Sequence, residues 1–510
     1  MRDATGGERQ RLAAGFHELL ARPFAPRTAG TVTYPGFFSS ASGRWVAAVA
    51  GVLGALVLLT VIGDVFMATQ HVPFDHSEGW NAYNAAAAMH GTLYPSNSSL
   101  WFANYPPLSF FLVGGPGQLT GDLIVAGRIL SVLAALGAAF MVAQIARHLG
   151  CAVLEAALAA LLFLASPWVV AKFAGIDDPQ MLGQALGCAG FAVVAWDPRS
   201  PRAVAVGALL LTLALYVKPL FVDQPLALLI WLGMYERRSA VILAVAGVVF
   251  GLVGLVATSL LLHVDLLDHL LSARVYSLSR MLSHPGQWLV TGFVPLSATL
   301  YLFRLRSDRS AMLCAIYAVV ALAFSVFFCG GEGVGGNPTI DLSTATALGI
   351  AVFINRVRAG MPAPRFLGSH PERKLVLAGC ALLSVALGAS AFVGWDSGPT
   401  VHERLSERPI AALDITYLGA RSGPALCETP SLCYWAHKPV EVDVWGYSQA
   451  LKRHTRTEDS IIQLLNARYF QAIQLDRRSS LSSFPDVRVA IARAYRVDHT
   501  DALGVFLVPR

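Results

Sequence analysis

Asp75 and Glu78 stand in a stretch, Met67 to Gly121, that contains no Lys or Arg. They follow a long apolar run closely enough to share one pocket, and carboxylates beside a membrane are costly enough to need a reason. Further acids, Asp64, Asp177, Asp178, Asp223, Glu332 and Asp341, fall on the same side of the apolar runs. For Asp64 and Asp223 the simpler reason is snorkelling to water. For Asp75 and Glu78 it is capping and solvation. The basic residues near these ends are Arg128, Lys172, Lys218, Arg274 and Arg280, a set suited to an anion such as phosphate. Arg meets phosphate bidentately and Lys as a point charge. The competing roles are an ion pair for Arg128 and interfacial anchoring for Lys172 and Lys218. Asp177 and Asp178, with Glu332 elsewhere on that face, could hold a divalent cation, although Asp178 before Pro179 also reads as a helix cap. Asn337 and Asp341 around the last loop leave the same choice open. His71, His76 and His90 lack helical metal spacing, so no metal centre is expected from them.

The elements that must position these groups are membrane spans. Of 510 residues, 55% are hydrophobic and 14% charged, with mean hydropathy +0.55, outside the soluble globular range. Trp45 to Phe66, Leu123 to Ala146, Ala152 to Ala171, Ala240 to Leu262 and Leu375 to Val393 can each cross a hydrocarbon core about 30 Å thick. The net charge of +6 reports topology, not nucleic acid. Arg147, Arg199 with Arg202, Arg237 with Arg238, Arg304 to Arg309, and Arg356 to Lys374 occupy alternate loops, which the positive-inside rule makes cytoplasmic. Basic flanks on both sides split Ala203 to Tyr235 into a hairpin at Lys218 to Pro225, and Ala311 to Ile354 at Gly330 to Pro338. This gives a polytopic α-helical membrane protein of about 11 transmembrane helices. Residues 1–44, with six Arg, read as a cytoplasmic tail and not as a cleaved signal; residues 45–394 form the membrane domain.

Two parts lie outside the spans. The loop 67–121 is long enough to suggest function; Ser77 could cap a helix from Glu78 to about His90, and Leu108 to Val113 is too short to span. After Trp395 the composition becomes that of a soluble α/β domain, 395–510. Its expected strands are Ala425 to Glu428, Val440 to Trp445, Phe470 to Leu475 and Gly504 to Val508, with helices over Ser460 to Tyr469 and Val487 to Tyr495. It carries no Gly-rich phosphate loop. Cys427 and Cys433 either pair or remain free thiols; Cys151, Cys188, Cys314, Cys329 and Cys380 sit in or beside apolar spans.

Glu78-Gly79-Trp80-Asn81-Ala82-Tyr83, Asn104-Tyr105-Pro106-Pro107-Leu108 and Ala126-Gly127-Arg128, in that order, resemble the first-loop region of bacterial GT-C glycosyltransferases of the protein-mannosyltransferase and aminoarabinose-transferase type. Glu78 matches the second acid of that family's acidic pair; Ser77 replaces the first, leaving Asp75 as its substitute. Tyr105 stands where relatives often carry a basic residue. The resemblance implies transfer of a sugar from a polyprenyl-phosphate donor to a hydroxyl of a lipid, polysaccharide or protein acceptor on the periplasmic side of a bacterial inner membrane. The anomeric centre inverts. Glu78 would be the general base with Asp75 second, Arg128, Lys218 and Lys172 would meet the donor phosphate, and Asp177, Asp178 and Glu332 would face the acceptor or a cation. No organic cofactor or nucleic acid is implied. The C-terminal domain would cover the site without catalytic groups, Tyr434, Trp435 and Trp445 facing sugar, first loop or core. A lipid or lipid-linked saccharide flippase is the alternative, against which stand the long loop and the absence of an evident internal repeat. A cysteine placed at Ser482 is expected to be labelled only from the outer face. Labelling only from the cytoplasm would overturn the topology.

Overall fold

The computed structural model describes residues 41–96, 98–270, 275–361, 401–439 and 441–510. The expected span Leu375 to Val393, Cys380, Arg274 and nearly all of the 1–44 tail lie outside them. Five helices among the described residues are long and apolar enough to cross a membrane: α1 (Ala41–Ala68, apolar over Val46–Ala68), α4 (Leu123–His148), α9 (Arg237–Leu262), α12 (Arg309–Cys329) and α13 (Thr339–Arg358). Shorter apolar helices accompany them: α5 (Val153–Leu164), α6 (Gln180–Trp196) and α7 (Pro201–Val217). This is a multi-pass membrane protein.

The sequence breaks expected from charge are present. Lys218 ends α7 in extended geometry, and α8 begins at Asp223 (Asp223–Tyr235). The second break separates α12 from α13 at 330–338. The run expected as one span, Ala152 to Ala171, instead ends as a helix at Leu164, and Val169–Phe173 forms a π-helical turn. Pro167, which can neither donate to the ladder nor tolerate a preceding α residue, accounts for the interruption. Helix α13 is almost wholly buried and forms the centre of the bundle. Within it Asp341 accepts hydrogen bonds from Gln184 (3.0 Å), Gln224 (2.6 Å) and Tyr317 (2.7 Å), which provides the partners a buried carboxylate requires. The basic helix ends meet through Arg356–Asp308, Arg358–Glu155 and Arg309–Glu236–Arg199.

In the first loop lie α2 (His76–Met89) and α3 (Leu108–Thr120). The cap of α2 is Asp75, not Ser77: Asp75 Oδ1 accepts from the Ser77 amide (2.9 Å) and hydroxyl (2.7 Å). A carboxylate there also meets the positive end of the helix.

The C-terminal part opens with α14 (Val401–Gly419) and forms a four-stranded mixed sheet of order β1-β2-β4-β3, with β1 (Ala425–Cys427), β2 (Ala472–Leu475), β3 (Tyr495–Asp501) and β4 (Gly504–Pro509). β1 and β2 are parallel and the other pairs antiparallel. Helices α15 (Pro430–Trp435), α16 (Val444–Lys452), α17 (Asp459–Asn466) and α18 (Pro485–Ala494) pack around it, and Cys427 is disulfide-bonded to Cys433. Of the expected strand Val440 to Trp445, the described residues 441–445 form none. Val442 makes one bridge to Leu100, and Asp443 then caps α16 by accepting from the Gly446 amide (2.8 Å). β3 escaped the sequence reading because this edge strand is mostly exposed and polar, without apolar alternation.

The sheet domain docks on the first loop. Tyr434 Oη accepts from the Leu123 amide (2.9 Å), Trp435 donates to Asp122 (3.0 Å) and stacks on His71, and Tyr83 donates to Lys438 O (2.7 Å). Trp445 packs against Gly333 in the last loop. Of the roles left open for the three aromatics, facing the first loop holds for Tyr434 and Trp435. Trp435→Ala should cost about 3–5 kcal/mol, read as a lowered unfolding midpoint in detergent and new proteolysis near 430–438. An unchanged midpoint would show that this face does not hold the parts together.

Candidate functional site

Site residues arrive from four directions: Asp75 and Glu78 at the start of α2, Arg128 in the first turns of α4, Lys172 to Asp178 between α5 and α6, and Lys218 at the end of α7. Two glycines let them converge. A Cβ on Gly79 would fall 2.1 Å from the Ser431 amide, and one on Gly127 would fall 1.9 Å from Asp177 Oδ1. Any larger residue would therefore push α15 off α2, or Asp177 off α4.

At the centre Glu78 and Arg128, both 0% exposed, form a bidentate pair: Arg128 Nε donates to Oε1 (2.6 Å) and Nη2 to Oε2 (2.7 Å). The other donors go to the carbonyls of Val72 (2.7 Å), Gln70 (2.8 Å) and Met67 (3.4 Å), so all five guanidinium N–H groups are used. Glu78 in turn accepts from the amides of Phe74 (2.9 Å) and Asp177 (3.3 Å). Of the two roles left open for Arg128, the ion pair is the one observed; as placed here all its N–H groups are engaged and Glu78 is 0% exposed.

Asp75 is different. Its side chain is 26% exposed, its Oδ2 pairs with Lys172, and its Oδ1 caps α2. Burial alone would raise its pKa, but the Lys172 ammonium and the two Ser77 hydrogen bonds hold it down at about 2. Beyond Phe173, whose ring lies 5.7 Å from Lys172 Nζ and 5.8 Å from Lys218 Nζ, a second and buried pair joins Lys218 to Asp178 (2.8 Å). Tyr105 packs its ring 5.4 Å from the same ammonium. Asp178 Oδ1 also accepts from the Gln180 amide (2.8 Å), so the expected cap and an ion pair share one carboxylate.

Asp177 lines a small cavity with Asn81, Ser109, Gly127 and Ser131. Burial, followed by the neighbouring Glu78 and Asp178 carboxylates, pushes its pKa well above the ordinary value. The second acid of the pair, Asp178, is taken up by Lys218. Glu332 joins neither: it pairs with Lys452 of the sheet domain, which removes it from the expected acceptor group. Arg280 donates to Val334 O (3.3 Å) and keeps a buried Nε–H without a partner.

Arg404 had no signal in the sequence. It is carried on α14, its guanidinium lies 4.2 Å from the Phe74 ring, and Arg128 covers the same ring at 3.6 Å. Its partners Glu78 and Asp75 lie more than 300 residues away in the chain, a separation that periodicity does not register.

No protein-family model and no curated protein matches this sequence. Solved structures do match. ArnT from Cupriavidus metallidurans bound to undecaprenyl phosphate is similar with TM-score 0.58 at 14% identity, covering 91% of this chain and 98% of that one. Its apo form gives 0.58 at 15% identity, covering 92% and 98%. Archaeal oligosaccharyltransferase AglB from Archaeoglobus fulgidus, in complex with an inhibitory peptide and a dolichol-phosphate, gives 0.51 at 10% identity, covering 90% and 74%. Identities this low speak for fold alone, and over most of its length the chain has the fold of ArnT and AglB.

Proposed function

We propose that this protein is a membrane glycosyltransferase that takes a sugar from a polyprenyl-phosphate donor and delivers it, with inversion, to an acceptor hydroxyl at the periplasmic face of a bacterial inner membrane. The observation that carries the reading is the partly exposed Asp75–Lys172 pair, set against the buried Glu78–Arg128 pair. It combines a carboxylate that can reach a hydroxyl with a cation that can reach a phosphate. The fold shared with ArnT and AglB, solved with undecaprenyl phosphate and a dolichol-phosphate, supports the donor class.

In this mechanism the donor phosphate meets Lys172, with Lys218 and Arg280 adding positive charge nearby. The phosphate competes with Asp75 for the ammonium. As the pair loosens, only the two Ser77 hydrogen bonds still oppose burial, and Asp75 becomes more basic where a base is needed. Asp75 takes the acceptor proton, the acceptor oxygen bonds to the anomeric carbon, and the sugar–phosphate C–O bond breaks with its electron pair passing to the phosphate. Glu78 and Arg128 hold the loop around these groups and touch neither substrate. Asp177, Asn81 and Ser109 are assigned to the acceptor side. The Cys427–Cys433 disulfide supports an oxidising compartment for the sheet domain.

Asp75→Asn should lower turnover about 100- to 10,000-fold while the unfolding midpoint stays near normal and donor binding tightens, since the phosphate no longer competes for Lys172. Glu78→Gln and Arg128→Ala should each cost about 3–5 kcal/mol of stability, because each leaves an uncompensated buried charge or donor. Turnover, donor binding and thermal unfolding measured on the three variants separate the roles. Normal transfer by Asp75→Asn would remove Asp75 as the base.

The pH dependence follows from the sign of the Asp75 shift. A base must be ionised, and in the free enzyme Asp75 stays ionised until the pH falls to about 2. kcat/KM should therefore show no acid limb from this group in the ordinary working range. Lys172→Gln leaves burial opposed only by the two Ser77 hydrogen bonds, so the limb should move up toward the ordinary carboxylate value of about 4. An acid limb unchanged by Lys172→Gln would contradict the coupling.

A further inference from the structure

Away from the membrane site, Asp414 meets two side chains distant from it in sequence, His499 and Asp501, between α14 and β3. Asp414 projects from the middle of the helix, and His499 and Asp501 from the strand just past its register shift at Val497/His499. Such bulges re-aim side chains. We infer that Asp414, His499 and Asp501 bind a divalent transition-metal ion of the zinc type, with Asp498 orienting the histidine.

The distances match those between ligands around a bound ion. His499 Nε2 lies 3.4 Å from Asp414 Oδ1 and 3.6 Å from Asp501 Oδ2, and the ligand atoms of all three residues fall within 4.8 Å of one another. A charge-assisted hydrogen bond would draw such atoms to about 2.7–2.9 Å. Donors on a tetrahedral ion with bonds of about 2.0–2.1 Å stand about 3.3–3.4 Å apart. The other ring nitrogen, Nδ1, faces Asp498 Oδ2 at 3.4 Å, and that oxygen accepts from Tyr417 Oη at 2.8 Å. A carboxylate on the far nitrogen is the usual support of a metal-bound histidine. The imidazole is fixed by stacking on Phe506 and by the edge of Tyr417.

A second observation points to the same ligand. Asp414 is 2% exposed and its Oδ2 has no hydrogen-bond partner, which is costly for a buried carboxylate oxygen unless a cation completes it. One nitrogen and two carboxylate oxygens suit zinc, cobalt or manganese better than calcium, which takes an all-oxygen shell. His499 and Asp501 remain partly exposed, which leaves room for a water as fourth ligand. The ion would clamp α14 to the edge strand. Since α14 also carries Arg404 to Phe74, metal occupancy would steady one wall of the candidate site.

The test uses the full chain in detergent, without a polyhistidine tag and stripped by chelator. Titration with cobalt(II) should give the visible absorption of a tetrahedral site at one ion per chain, displaced by zinc(II), and zinc should raise the unfolding midpoint. His499→Gln should abolish the absorption. Asp501→Asn, at the exposed edge where the fold should tolerate it, should weaken binding at least as much as Asp498→Asn, for which a loss of about 10- to 100-fold is expected. No cobalt absorption and no retained zinc in the unaltered chain, even in molar excess, would overturn the proposal and leave a histidine–carboxylate cluster. Equal binding by the unaltered chain and His499→Gln would overturn it too.

Discussion

A guanidinium and a carboxylate taken together out of water lose several kcal/mol of hydration each, and they return it only where every remaining donor and acceptor finds a partner. Glu78 and Arg128 meet that condition. Five N–H groups reach two carboxylate oxygens and three carbonyls, and the carboxylate takes two further amides. The carbonyls belong to Met67, Gln70 and Val72, and the amides to Phe74 and Asp177, so one ion pair ties the exit from α1, the start of α2, the body of α4 and the loop before α6 into one unit. Without it the loop carrying Asp75 would have no fixed position relative to Lys172.

Much of this architecture was legible in the sequence because membranes impose simple rules. Apolar length gave α1, α4 and α9, and alternation of Arg-bearing loops located both hairpin breaks, at Lys218 and at 330–338, the second of which separates α12 from α13. The acids and bases that matter were also legible as a set, since unneeded charge is rare at that depth. Their pairing was not. Glu78 finds Arg128 at a separation of 50 residues and Asp75 finds Lys172 at 97. No helical or strand period spans such intervals, so the resemblance to known enzymes assigned roles to Glu78 and Arg128 by motif, without the ion pair that joins them. The same limit hid β3, whose sequence Tyr-Arg-Val-Asp-His-Thr-Asp is too polar to announce a strand, and with it the convergence of His499 and Asp501 on Asp414.

Exposure separates the two pairs that the sequence left alike. The Glu78–Arg128 side chains are 0% exposed, and opening such a pair leaves an uncompensated charge at a cost of about 3–5 kcal/mol. The Lys172 and Asp75 side chains are 25% and 26% exposed, in reach of water, and pairs screened in that way contribute about 0–1 kcal/mol. An arriving phosphate can exchange for Asp75 on Lys172 at that smaller cost, whereas no ligand of ordinary affinity could open the buried pair. The rigid pair therefore suits holding geometry, and the labile one suits chemistry that requires its partners to part.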